Sequence, residues 1–273
     1  FENSNLEGQR PMPDSIVTIA KVLKSQGYKT GMVGKWGLGA PNTSSIPNKK
    51  GFDFFYGYNC QRQAHNLYPS HLWKNNDRHM LNNTIVDKGR LPMGLDPNDD
   101  NSYSLYNQKD FAPTLMHKEA MQFLERNRDQ KFFLYYASPL PHLPLQAPKK
   151  WVNYYRQKLG PETPYIGDSG YYPNRTPRAT YAAMISYLDE QVGEIVTYLK
   201  ETNQYDNTMI VFSSDNGPTL KDEQADIQFF NSTISATITR AENTSVFTFQ
   251  ENMRYAVMWT YDGSKTTASA ATM

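Results

Sequence analysis

Cysteine is almost absent from this 273-residue chain: Cys60 stands alone, which excludes an internal disulfide and any cysteine-based metal site. A lone cysteine favours a reducing compartment or a bacterial origin. Five Asn-x-Ser/Thr triplets, at Asn42, Asn82, Asn174, Asn231 and Asn243, point the other way, because such triplets matter in a eukaryotic secretory protein. Long apolar stretches are lacking too. The longest strongly apolar run, Phe132 to Ala137, is far too short to span a bilayer. No basic-then-apolar leader opens the chain, and a start at Phe1 fits a truncated N-terminus as well as a mature one. Neither sign of charge is in excess, with 28 Lys plus Arg against 27 Asp plus Glu. That balance argues against a general nucleic-acid binder, which needs a basic face to neutralise phosphates, and leaves room for a locally basic pocket.

What is present reads as alternating helix and strand. Asp14 to Gln26 is predicted to be a helix with Ile16, Ile19, Ala20 and Leu23 on one stripe, stopped by Gly27. A short strand, Thr30 to Val33, then leads into the turn Gly34-Lys35-Trp36-Gly37-Leu38-Gly39. Residues 41 to 109 are loop-rich, except for a strand expected within Gly51 to Tyr58. Asp110 to Arg128 is a second helix with Met116, Ala120, Phe123 and Leu124 inward, followed by a buried strand from Phe132 to Ala137. A long loop is expected from Pro139 to Pro177. The clearest helix follows, with Tyr181, Met184, Ile185, Leu188, Val192, Ile195, Val196 and Leu199 at helical spacing as core. Asn207 to Ser214 is a further strand, ending at Asp215-Asn216-Gly217-Pro218. Units of this kind build a parallel sheet, so the expected fold class is α/β. After Pro218 only weak alternation remains, as at Ile234, Ala236 and Ile238.

Three constellations carry chemistry. Asp215 and Asn216 offer a carboxylate and an amide oxygen, hard ligands for calcium or magnesium, at the end of a strand where ligands of α/β sheets gather. The alternative is a plain turn, since D-N-G-P is good turn chemistry. His142, held between Pro141 and Pro144, is either a positioned donor or a surface-loop histidine. Lys35 lies among glycines that let an anion approach the backbone, a pattern also common without function. Each of the three follows a predicted strand, so in a parallel sheet they are expected to converge on one edge. Their sum is an oxyanion pocket beside a hard cation.

These landmarks, taken in order with Gly51-Phe52-Asp53 and Tyr181-Ala182-Ala183-Met184-Ile185, resemble the sulfatases of the alkaline-phosphatase-like superfamily. The stretch Gly57-Tyr58-Asn59-Cys60-Gln61-Arg62-Gln63-Ala64-His65-Asn66 resembles one arylsulfatase subgroup. The resemblance runs from about Asn5 to Pro218. It implies an alkaline-phosphatase-like, largely parallel sheet, incomplete and flanked by helices on both faces. It also implies hydrolysis of sulfate esters, with Asp215 and Asn216 ligating a divalent cation, usually calcium, and Lys35 and His142 contacting the sulfate. Many sulfatases carry histidine where this chain has Gly37. His65 is a candidate replacement, the alternative being a structural histidine bonded to loop backbone.

The sequence also departs from the family. Sulfatases convert the first residue of a Cys-x-Pro-x-Arg or Ser-x-Pro-x-Arg element to formylglycine, the nucleophile when hydrated, and this sequence contains no such element. The paired N-terminal aspartates are missing, and no lysine stands where the family's second one is expected; Arg240 is the nearest basic residue. Residues 1–218 are therefore expected to be a partial catalytic domain and 219–273 a divergent, weakly β-patterned tail. The expected substrate is a sulfated small molecule or glycan, with no nucleic acid and no membrane span. The expected compartment is secreted, periplasmic or lysosome-like, and this polypeptide alone is expected to turn over no sulfate ester. Two rivals remain: a related phosphodiesterase or phosphonate hydrolase, and a non-catalytic remnant that binds sulfated glycans.

Overall fold

Local signals start and stop the first elements. In the computed structural model, which describes residues 7–214 and the backbone of 254–260, helix α1 spans Ile19–Ser25. It begins five residues later than the apolar stripe predicts because Thr18 caps it. The Thr18 hydroxyl accepts from Lys21 N and donates to the Lys50 carbonyl. Ala20 and Leu23 are buried, whereas Ile16 and Ile19 are exposed. Strand β1, Lys29–Lys35, runs two residues past its predicted end, so Gly34 and Lys35 belong to the strand rather than to the glycine turn.

Strand β2 is Phe54–Tyr58, and the segment expected to be loop also forms a hairpin of β3 (His71–Lys74) and β4 (Asp77–Met80). Asn75 makes the turn at φ 54°, a left-handed conformation that asparagine tolerates. Helix α2 is Ala112–Arg126 and strand β5 is Phe132–Ser138. The expected loop after it contains helix α3, Lys149–Leu159, a second correction. This helix buries no residue fully, but Trp151, Val152 and Tyr155 form a short, partly buried stripe packed on the cluster that includes Leu145, Met184 and Leu188. Helix α4, Pro177–Glu201, buries Met184, Leu188, Ile195 and Leu199, while Ile185 is exposed. Strands β6 (Thr208–Ser214) and β7 (Arg254–Thr260) complete the sheet.

The sheet order is β4-β3-β2-β1-β5-β7-β6. Strands β2, β1, β5, β7 and β6 are mutually parallel, and the antiparallel pairings among the described strands are β2–β3 and β3–β4, so β3 alone runs against the others. Side-chain alternation splits the core into two layers. On one face Val33, Tyr56, Leu134 and Tyr136 pack against α2 and α4. On the other, Met32, Phe55 and Phe133 pack against α1. The expected two-faced α/β sheet is the one observed.

The parallel register brings the strand ends to one edge. Gly34 pairs with Ala137, Ala137 with position 259, and position 259 with Ser213, a single row across the sheet. The next residues out are Lys35, Ser138 and Ser214. Loops leaving that edge hold the side chains considered below, as expected at the carboxyl ends of parallel strands.

Candidate anion-binding site

Lys35 ends β1 and is 8% exposed. The turn beyond it is held closed by side chains. Trp36 donates from Nε1 to the Ser45 carbonyl at 2.7 Å, and the Ser45 hydroxyl donates to the Leu38 carbonyl at 2.6 Å. Gly34 permits the close packing that sets Lys35 in place: its φ is 119°, and a Cβ built there would lie 1.9 Å from the Ala137 carbonyl oxygen. Gly37, where many relatives are expected to carry histidine, has φ 75°, a backbone that would strain a side chain at that position.

The loop after β2 carries the second group. Trp36 N donates to Tyr58 O, joining this loop to the Lys35 turn. Ala64 N bonds back to Gln61 O and His65 N to Arg62 O, a short helical turn that turns His65 inward. The loop is tied down from afar by Gln146, whose Oε1 accepts from Leu67 N at 2.9 Å while its Nε2 donates to Tyr106 O at 2.7 Å.

His142 follows β5 and is 6% exposed. Its amide donates to Pro139 O, and its Nδ1 lies 2.6 Å from Leu143 O. A carbonyl only accepts, so Nδ1 carries the proton. The rings of His65 and His142 stack with centroids 5.0 Å apart and planes 10° from parallel. Tyr171 tilts against the other side of His65 at 5.8 Å.

Electrostatics show what else converges here. Burial above all, then the charges of His142, Lys88, Lys35 and Arg62, pull the pKa of His65 from 6.5 down to about 3. His65 is therefore neutral near pH 7. Its Nε2 is shielded from solvent yet has no hydrogen-bond partner among the described residues. The pKa of Lys88 falls to about 8, through desolvation by the surrounding protein and the Arg62 charge, although the residue keeps solvent access. A neutral, unsatisfied imidazole ringed by cations is a receptor for an oxyanion.

Three of the five expected site residues, Lys35, His65 and His142, are thus brought together. Asp215 and Asn216 lie outside the described residues; Ser214, which precedes them in sequence, ends β6 on the same sheet edge as Lys35. No group of three or more His, Cys, Asp or Glu side chains placed to hold a metal ion occurs among the described residues. The described donors alone therefore do not form a calcium site. Sequence reading passed over Lys88 and Tyr171, which sit in loops with no motif, and quoted Arg62 only as part of a longer likeness.

A cleft of about 450 Å³ adjoins these loops, lined by Tyr68, Tyr103, Tyr106, Gln146, Arg156 and Arg175 among others. Both arginines are neutralised there by Asp100, which Arg156 grips with two bonds of 2.7 and 2.9 Å.

Fold and site together describe an α/β domain that gathers positive charge at the carboxyl edge of a parallel sheet. The chain belongs to the sulfatase family: the family model described as Sulfatase matches residues 2–257. It is 30% identical to mouse arylsulfatase J over 207 residues, 76% of this chain and 30% of that protein. It is 29% identical to human N-acetylgalactosamine-6-sulfatase over 212 residues, 77% of this chain and 34% of that protein. The chain thus spans about a third of the length of these curated relatives. Among solved structures, Ps i-CgsB matches with a TM-score of 0.50 and 23% identity, covering 74% of this chain and 42% of that one. Its complex with k-i-k-neocarrahexaose matches equally well at 24% identity. At these identities the likeness concerns the fold. No helix of the described residues is long and apolar enough to cross a membrane.

Proposed function

We propose that this chain is the sulfate-holding part of a sulfatase, an enzyme that hydrolyses sulfate esters of a small molecule or glycan. The observation that supports it best is the stack of His65 on His142 beside Lys35, with His65 Nε2 lacking a hydrogen-bond partner among the described residues. A sulfate ester carries one negative charge spread over three equivalent oxygens. Lys35 neutralises that charge, while Nε2 of His142 donates to an oxygen when protonated. His65 takes up a proton when the anion binds, since a nearby negative charge favours the imidazolium. As the ester bond breaks, charge grows on the departing oxygen, and cations fixed in advance stabilise it without rearranging.

Two further parts belong to this reading. Asp215 and Asn216 contribute to a site for calcium or another divalent cation, and the nucleophile is a formylglycine that no motif of this sequence encodes. Such a cation would add positive charge at the sulfate oxygens. Residues 1–218 act as the catalytic portion and 219–273 as a divergent tail, in a protein of a secreted, periplasmic or lysosome-like compartment. In support, human arylsulfatase A is a further relative, 28% identical over 214 residues.

The test is binding rather than turnover. Titration with p-nitrophenyl sulfate, followed by calorimetry, is expected to give saturable binding that weakens about tenfold or more in Lys35→Ala and in His142→Ala. Equal binding by wild type and both variants, or no binding by any, would remove the sulfatase reading of this site.

A further inference from the structure

The cleft of about 450 Å³ beside Gln146 contains neither Lys35 nor His142, yet it has the features of a receptor. Its volume lies in the range of roughly 300–1,000 Å³ usual for small-ligand pockets. Three side chains that line it, Tyr68, Tyr106 and Thr176, are each more than nine-tenths buried. None of their hydroxyls has a hydrogen-bond partner among the described residues. The Tyr68 ring packs on Phe111 with centroids 5.1 Å apart, and the Tyr106 ring on Tyr172 at 5.6 Å. Those contacts hold the rings and leave the phenol oxygens unbonded. Thr176 stands at the N-cap of α4 and makes no side-chain cap bond. Nor are these hydroxyls among the polar atoms sealed from solvent without a partner. Each hydroxyl can donate and accept, so together they suit a ligand that carries hydroxyls of its own.

Two amides fix the frame that carries them. Gln146 accepts from Leu67 N, next to Tyr68, and donates to the Tyr106 carbonyl. Asn174 donates from Nδ2 to Leu145 O at 2.8 Å, and its Oδ1 accepts from Thr176 N at 2.9 Å. A ligand therefore meets hydroxyls already in place and need not order them, which strengthens binding. Charge in the cleft is committed. Arg156 and Arg175 share Asp100, and Arg175 Nε also donates to Asn98 O at 3.1 Å. The third cation of the lining, Lys149, is exposed. The buried lining thus offers hydroxyls, amides and tyrosine rings.

We infer that this cleft is a binding site for an uncharged sugar, separate from the Lys35–His142 pair and able to work without it. A pyranose matches its chemistry. The sugar's hydroxyls exchange hydrogen bonds with Tyr68, Tyr106 and Thr176, and its apolar C–H face lies against tyrosine. An anion gains little from guanidinium groups already bonded to a carboxylate, and a wholly apolar ligand would strand the three hydroxyls.

Saturation-transfer NMR with lactose, cellobiose and N,N′-diacetylchitobiose, three uncharged disaccharides, tests it. Wild-type protein is expected to bind at least one of them with a Kd on the order of 1 mM. Tyr68→Phe/Tyr106→Phe removes two hydroxyls and keeps both rings, and is expected to weaken that sugar about tenfold. Its melting temperature is expected to match the wild type, because neither hydroxyl bonds to a described residue. Thr176→Val is expected to weaken the sugar about threefold. Lys35→Ala and saturating inorganic sulfate are each expected to leave sugar affinity within about twofold, as independent sites do. No binding of any of the three sugars at about 50 mM, or an unchanged Kd in both hydroxyl variants, overturns the sugar site. The sulfate site is judged separately, by its own titration. Loss of sugar binding in Lys35→Ala or on adding sulfate also overturns it, since the sugar would then sit in the sulfate site. A lower melting temperature in the double tyrosine variant overturns it too, because the hydroxyls would then serve the protein itself.

Discussion

Gly34 on β1 lies directly beside Ala137 on β5, so close that a methyl group on Gly34 would sit 1.9 Å from the Ala137 carbonyl oxygen. The obstacle is backbone in the middle of a sheet, not the tip of a flexible side chain. Gly34→Ala is expected to destabilise the protein by about 3 kcal/mol or more, through strain at positive φ and the clash together. Urea denaturation measures it. A change of less than about 1 kcal/mol, no more than an average point substitution costs, would mean the strands separate easily.

The stacked histidine predicts a pH dependence. The pKa of His65 falls from 6.5 to about 3 on folding, so between those values the unfolded chain holds a proton that the folded chain does not. Stability is fully present above pH 6.5 and falls as the pH drops toward 3, by at most about 1.4 kcal/mol per pH unit from this group. His65→Asn is expected to flatten the curve between pH 6.5 and 4.5. It will not abolish the slope, because burial also lowers the pKa of His117. Saturating sulfate reverses the tendency, and its affinity is expected to rise as the pH falls from 7 to 5.5, the approximate range in which an anion-raised imidazole titrates.

Gln146 joins two loops through a single buried side chain. Replacing it with leucine leaves Leu67 N and Tyr106 O without their partner. The expected loss is about 2–4 kcal/mol, the sum of two buried groups left unmade. Since Leu67 follows His65 closely, sulfate affinity is expected to fall with it, which calorimetry on the same variant checks.

Lys50 is a buried cation whose partner is in water. Its side chain is 1% exposed and its Nζ lies 2.9 Å from Asp14, itself 72% exposed. Asp14→Ala is expected to lower the melting temperature by leaving the ammonium, among the described residues, with only the Pro13 carbonyl. Adding Lys50→Met is expected to restore much of the loss, as an apolar chain of similar length needs no partner. A double variant no better than the single one would show that the lysine stem, not its charge, matters.

Much of this architecture was legible in the sequence where pattern and packing agree. The stripe of α2 and the run Phe132 to Ala137 face the two sides of a sheet, and burial enforces what periodicity suggests. Lys35 and His142 stood out because glycine and proline mark constrained backbone. Helix α3 escaped because its apolar stripe, Trp151, Val152 and Tyr155, is short and only partly buried among prolines and basic residues. The β3–β4 hairpin escaped for another reason. Its pairing with β2 is reinforced by Glu7, which accepts from Trp73 at 2.8 Å and pairs with Arg78 at 2.9 Å, a polar tie across distant sequence. Lys88 was illegible on the same ground: its loop is pinned by Tyr172 and Ile166, residues far along the sequence.

Strand β7 is the last element of the sheet in sequence, yet it is wedged between β5 and β6. A ribosome therefore delivers β6 long before the neighbour that attaches it to the rest of the sheet. Until residues 254–260 emerge, the nascent protein must keep a berth open along β5, and any reading-frame change upstream of them would leave β6 adrift together with the Asp215-Asn216 segment it carries.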